Sequence, residues 1–366
     1  MTCAAPLVSV VCAAYNRGPA IRTTIDSVLA QTITDLELIV VSDGSTDETD
    51  ATVRSASRQD HRVRLISMEH VGHPSRAMNV GIAAASGEVI AYIDHDDLWT
   101  RDHLATVLDA LAGGADVVAT GSTWIDPNGQ VVSVRPAAAM FWHHEIQVLN
   151  PVFENSQAAH VAGWVERVGP WRESPHGLED WDMWLRFADA GARFQTVQLR
   201  TVLKTMATNN RHRRLPKAHA LELANFPDAP SARRAIDAMR EPAAAAELLA
   251  AGEADSVDWY GRLARTDGFV FGQGFAENET TALAALPAAL AAAREADRGL
   301  EDPVNIRLAP RDGRVALLQD INCMTAEHAD RFQITAQVAQ PLMFEEVQRV
   351  IAPFQGVVPE TRSARR

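Results

Sequence analysis

An α/β fold with a doubly wound, mainly parallel sheet is predicted by three features of the N-terminal third of the chain. Short β-branched apolar runs alternate with stretches whose apolar residues recur at helical spacing. Polar, Gly- and Pro-containing turns separate the two kinds of segment. The run Val89-Ile90-Ala91-Tyr92-Ile93 is apolar throughout, as a strand covered on both faces must be, and it ends on Asp94-His95-Asp96-Asp97. Strand and helix in alternation with short crossovers give an α/β sheet.

The elements follow in order. Leu7 to Val11 reads as the first strand, and Ala14-Tyr15-Asn16-Arg17-Gly18-Pro19 as a turn with Pro at a helix start. Ile21, Ile25, Val28 and Leu29 then mark one helix face. Leu36 to Val41 is a second strand, and Ser45 with Glu48 has capping-box spacing for the next helix. Val63 to Ile66 is a third strand, and a helix through Arg76 to Gly81 leads to the strand before Asp94. Ligands of such sheets bind beyond the carboxyl ends of the strands. Asn16, Asp43 and Asp94 all fall at such ends, so three turns are expected to face one crevice.

Three carboxylates where a buried strand ends are costly without a cationic partner. A hard divalent ion shared with substrate phosphates, Mg²⁺ or Mn²⁺, is one solution. An acidic turn in which Asp97 caps the next helix is the other.

Four segments together resemble glycosyltransferase family 2: Val10 to Arg17, Ser27 to Thr32, Val41 to Asp47 and Ile93 to Asp97. A fifth, Gly177-Leu178-Glu179-Asp180-Trp181-Asp182-Met183-Trp184-Leu185-Arg186, is similar to the segment that supplies the family's catalytic base. The resemblance covers residues 6–215. It implies a GT-A fold, a nucleotide-sugar donor (UDP-linked by preference), a divalent metal and inverting transfer. It assigns Ala14, Tyr15, Asn16, Asp43, Arg76 and Asp94 to the nucleotide, Arg76 at its phosphates. It assigns Asp94, Asp96 and His212 to the metal, with Asp97 orienting them from behind, and Asp180 with Glu179 to catalysis. One position departs from the family's pattern: where two acidic residues often precede the Gly-Ser, Ser42 stands before Asp43. A sugar nucleotidyltransferase would usually carry a Gly-rich basic loop after the first strand, which Ala13 to Gly18 lacks. A non-catalytic module of the same fold is disfavoured by the intact Asp94, Asp96 and Asp180.

The remaining sequence is less telling. Residues 116–120 read as a strand, and Pro127-Asn128-Gly129 as the turn of a hairpin between Trp124-Ile125 and Val131-Val132. Residues 140–176 hold Trp142, His143, His144, Phe153, His160, Trp164, Trp171 and His176, which packing explains better than sugar stacking. Asp182 reads as a plain helix cap. Three prolines mark residues 216–235 as a linker between a catalytic domain (1–215) and an accessory region (236–366). Ala-rich helices are expected at 242–252 and 280–299, a hairpin around Arg311-Asp312-Gly313-Arg314, and a last helix over 344–351. This region carries no recognisable chemistry. Acceptor binding, a homodimer contact or a partner protein are its candidate roles, and the acceptor class (glycan, lipid-linked sugar, small molecule or peptide) stays open.

The 366 residues carry a net charge of −13, which gives no general attraction for nucleic acid or anionic lipid. Three scattered cysteines make neither a disulfide framework nor a zinc site. No apolar stretch is long enough for a membrane span and no basic leader precedes the first strand, so a cytoplasmic enzyme is expected.

Overall fold

The computed structural model describes residues 5–126, 129–134, 154–173, 179–205, 219–263, 265, 307–321 and 345–355. Its N-terminal part is a nine-stranded sheet with helices on both faces. The strands are β1 (Val8–Ala14), β2 (Leu36–Asp43), β3 (Val63–Met68), β4 (Val89–Tyr92), β5 (Leu98–Trp99), β6 (Val117–Ile125), β7 (Val131–Val134), β8 (Ala158–Val161) and β9 (Phe194–Thr205). They lie in the order β3-β2-β1-β4-β8-β6-β9-β5, with β7 beside β6.

The first four strands are parallel, as expected, with Val8 opposite both Leu36 and Val89. Beyond β4 the sheet is mixed rather than mainly parallel. Strand β8 runs antiparallel to β4 and β6, while β9 is parallel to β6. Residues of β1 and β2 are buried on both faces, which accounts for their unbroken apolar runs.

Four helices connect these strands: α1 (Ile21–Leu29), α2 (Thr49–Gln59), α3 (Pro74–Ala84) and α4 (His103–Ala112). Helix α3 lies so close to the sheet that a Cβ at Gly81 would stand 2.4 Å from Val11 Cγ1. Helices α5 (Trp164–Val168) and α6 (Glu179–Asp189) follow. Trp184 and Phe187 of α6 pack with Tyr92, His160 and Trp171 under the sheet, so those aromatics are core. Trp142, His143, His144, Phe153 and His176 lie outside the described residues.

Two local expectations change. Ser45 does not cap α2: its hydroxyl accepts the Asn16 amide and bonds to Ser42, and the helix begins at Thr49 beside the Asp47 carboxylate. Asp182 is not a plain cap either, because it pairs with Arg186 one turn on at 2.8 Å. Arg186 also donates to the carbonyls of Val168, Gly169 and Pro170.

A second, three-stranded antiparallel sheet has the order β10-β12-β11, from β10 (His219–Phe226), β11 (Arg307–Arg311) and β12 (Arg314–Ile321). Helices α7 (Ala229–Met239), α8 (Pro242–Leu263) and α9 (Glu345–Gln355) cover it. Phe226, Met239, Leu248, Leu317, Val350 and Ile351 make its core. The hairpin at 311–314 and the helices near 242 and 345 match expectation. Residues 216–235, expected as a linker, instead carry β10 and most of α7. The prolines misled because Pro230 sits in the first turn of α7, behind the Asp228 cap, where proline is well tolerated. The stretch 280–299 lies outside the described residues.

Candidate active site

The carboxyl ends of β1, β2 and β4 converge, and hydrogen bonds join their turns. Asn16 takes a left-handed conformation (φ 46°) that asparagine tolerates. Its amide donates to Ser45 Oγ at 3.1 Å, and its Oδ1 accepts the Thr46 amide at 2.8 Å. Thr49 Oγ1 accepts the amides of Arg17 and Gly18 at 2.7 and 2.8 Å. The Asn16 side chain therefore locks two turns together, and Ser42, standing in for an acidic residue, supports the same lock through Ser45.

Asp43 ends β2 almost fully buried. Its two oxygens accept the amides of Val71 and Gly72, each at 2.8 Å. The loop so held brings His70 onto Tyr15, ring centroids 4.3 Å apart and 18° from parallel. Tyr15 remains 41% exposed, an aromatic platform at the rim. Gly44 (φ 63°) makes this close approach feasible, since a Cβ there would stand 2.5 Å from the His70 nitrogen.

The acidic turn after β4 is held from several directions. The Asp94 amide donates to Ser156 Oγ, whose hydroxyl donates to Asp97 Oδ2 at 2.6 Å. His95 turns back to the Ala13 carbonyl, and Thr24 bonds to the carbonyls of His95 and Asp97. Arg17 pairs with Asp96. Lys204 pairs with Glu154 and lies 3.5 Å from Asp97. Burial pushes Asp97 up to about 7, with Lys204 opposing the shift and Asp94 and Asp96 adding to it. Burial also raises Asp94, again against Lys204.

Asp180 stands in the first turn of α6, where its Oδ1 accepts the Trp181 amide at 2.8 Å. Its acidity is pushed to about 8, first by burial, then by the charges of Glu179, Glu154 and Asp94. The charge of Asp94 acts on Asp180 although the two stand 86 positions apart in the sequence. Perturbed carboxyls beside a strand-end cluster are what acid–base chemistry requires.

Two other expected residues are Arg76 and His212. Arg76, at the start of α3, pairs with Glu173, and both are about half exposed. His212 lies outside the described residues. Among the described residues, no group of three or more His, Cys, Asp or Glu side chains is arranged to hold a metal ion. Asp94 and Asp96 are hard oxygen donors on one turn, which suits a cation that completes its shell with phosphate and water rather than a closed protein cage. Arg17, Glu154, Ser156, His70 and Lys204 are site residues that the sequence did not single out. Only Arg17 lay inside a recognised motif.

Residues 9–163 match the family model described as "Glycosyl transferase family 2". The chain carries a glycosyltransferase family 2 domain. Asp43, the Asp94–Asp97 turn, Glu154 and Ser156 lie within the matched residues; Asp180 and Lys204 lie beyond them. The chain is 33% identical over 210 residues to the uncharacterized protein y4gI of Sinorhizobium fredii, covering 55% of this chain and 22% of that protein. It is 36% identical over 113 residues to the glycosyltransferase GlyG of Streptococcus pneumoniae, covering 31% of this chain and 38% of that one. The chain thus spans well under half the length of these relatives. Among solved structures, the mannosyltransferase PcManGT of Pyrobaculum calidifontis, in complex with GDP-Man and Mn²⁺, is 20% identical at a TM-score of 0.48, over 96% of this chain and 86% of that one. S. aureus TarS 1–349, in complex with UDP-GlcNAc, is 15% identical at 0.49, over 95% and 89%. No helix among the described residues is long and apolar enough to cross a membrane.

Proposed function

We propose that this protein is a metal-dependent, inverting glycosyltransferase that moves a sugar from a nucleoside-diphosphate donor, UDP-linked by preference, to a hydroxyl acceptor. What supports this reading is that Asp180, in the first turn of α6, feels the charges of Glu154 and of Asp94 in the turn after β4. The nucleoside would lie along the Tyr15, Asn16 and Asp43 end of the crevice, with the Tyr15 ring as a stacking surface. Asp94 and Asp96 would hold Mn²⁺ or Mg²⁺ together with donor phosphates. When bound, such a cation neutralises charge developing on the leaving diphosphate.

Asp180 would accept the acceptor's proton. The acceptor oxygen forms its bond to the anomeric carbon as the bond to the diphosphate oxygen breaks on the opposite face, and the hydroxyl proton passes to the Asp180 carboxylate. One base is enough, because the diphosphate leaves as an anion without protonation. Glu179 and Glu154 raise the proton affinity of Asp180, which strengthens it as a base once it is ionised. A cytoplasmic setting, where nucleotide sugars are made, fits this donor class.

The test is to incubate the full chain with a panel of UDP- and GDP-sugars and Mn²⁺ and to measure nucleoside diphosphate release and binding. Binding that needs Mn²⁺ and is lost in Asp96→Ala supports the reading. A folded protein with no affinity for any nucleoside diphosphate, with or without metal, overturns it.

A further inference from the structure

Lys204 is buried where a lysine is costly, and the chain distorts a strand to put it there. Strand β9 pairs Val197 with Thr120 and Lys204 with Trp124, so seven residues of β9 pass against four of β6. The excess is taken up in two irregularities flanking Gly121. An odd excess turns the strand's faces over, so Lys204 shares a face with residues it would otherwise oppose. Bulges near active sites commonly re-aim one side chain in this way.

The re-aimed ammonium lies over the Trp124 ring, 5.4 Å from its centre, and is only 8% exposed. It pairs with Glu154 and reaches Asp97 Oδ2 at 3.5 Å. That same oxygen accepts the Ser156 hydroxyl, and Ser156 in turn accepts the Asp94 amide. Lys204 therefore anchors, through one shared oxygen, the backbone of the turn that presents Asp94 and Asp96. Buried ion clusters are poor stability devices, because a well-packed apolar set does as well. A positional role is the alternative to a stabilising one.

We propose that Lys204 is a positioning residue for donor binding: by holding Asp97 and Glu154 it fixes the Asp94–Asp96 carboxylates in the spacing that a cation–diphosphate pair needs. The inference rests on the metal-dependent reading above. It separates two parts of the nucleotide site. The Tyr15, Asp43 and His70 end has contacts of its own, the Val71 and Gly72 amides on Asp43 and the His70 ring on Tyr15, and on this proposal it should not depend on Lys204. Only the metal-dependent part of the affinity does.

Calorimetry of UDP and GDP binding, in EDTA and in Mn²⁺, tests this on the full chain with Lys204→Met and with Lys204→Met/Asp97→Asn, the latter removing the unpaired buried charge. The expected result is nucleotide affinity in EDTA within about twofold of wild type, with the Mn²⁺ enhancement reduced at least tenfold in both variants. Retention of the enhancement in either variant, or an equal fall with and without metal, overturns the proposal. If both variants fail to fold, the cluster is a stability element and the proposal is wrong. Wild type binding nucleotide with no Mn²⁺ enhancement would instead sink the metal-dependent reading, a distinguishable failure that takes this inference with it.

Discussion

Arg17 reaches from the turn after β1 to the carboxylate of Asp96, and the two side chains are 29% and 25% exposed. A cation supplied by the chain thus sits on a carboxylate proposed for the metal. A partly exposed ion pair of this kind is worth up to about 1 kcal/mol, or about a fivefold change in an equilibrium.

Replacing Arg17 with Gln should therefore tighten Mn²⁺ binding by up to about fivefold, because Asp96 no longer has an internal competitor. Titration of the free Mn²⁺ resonance signal in the absence of nucleotide checks this. Unchanged or weaker binding would mean that Arg17 assists the cation rather than competing with it.

Asp180→Asn keeps the size of the side chain but cannot take a proton. Turnover should fall by about 10²–10⁴ while nucleotide affinity stays within a few-fold of wild type. In the wild-type enzyme, kcat/KM should rise with pH to a midpoint above the usual carboxylate range, because the buried carboxyl must ionise to act. Stability runs the opposite way. The folded state raises this group from 3.8 to about 8, so its stabilising contribution is complete below about pH 4 and is lost as pH climbs to about 8. The melting temperature of wild type relative to Asp180→Asn should fall across that window and level off above it. A constant difference across pH 4–8 would show that the carboxyl is not perturbed.

Much of this site was legible because its chemistry is local. Asp43, Asp94 and Asp180 each stand at an element's end, and strand runs and helix spacing locate those ends. Lys204 and Glu154 were not legible, because their roles come from contacts 50 residues apart and from a register shift between β6 and β9. No periodicity reports a bulge count. The resemblance assigns Arg76 to phosphate, and in the structure its guanidinium pairs with Glu173 across the surface, a contact that no local pattern announces.

Gly44→Ala should damage nucleotide binding more than folding. A methyl group at φ 63° would meet the His70 backbone at 2.5 Å, in a strip of chain whose amides at 71 and 72 hold the Asp43 carboxylate. Relief requires the 70–72 loop to move, which separates His70 from Tyr15. Strain of this kind costs about 1–3 kcal/mol. We expect UDP affinity to fall at least tenfold in EDTA as well as in Mn²⁺, the opposite pattern to Lys204→Met. Wild-type affinity in Gly44→Ala would show that the His70–Tyr15 stack takes no part in binding.

The second sheet supplies the last prediction. Every residue assigned here to the nucleotide, metal and base sites lies between Ala14 and His212, whereas Phe226, Met239, Leu317 and Val350 pack with one another in a separate core. A chain ending at Leu215 keeps all nine strands of the first sheet and loses β10 to β12 with their helices. We expect it to bind UDP in Mn²⁺ within about threefold of the full chain and to lose transfer to the true acceptor, with the C-terminal part acting in acceptor recognition. Calorimetry on the shortened chain, with far-ultraviolet dichroism to establish folding, measures the first half of that statement. A folded truncation without UDP affinity would mean that residues after 215 complete the donor site, and the separation of cores would then not be a separation of roles.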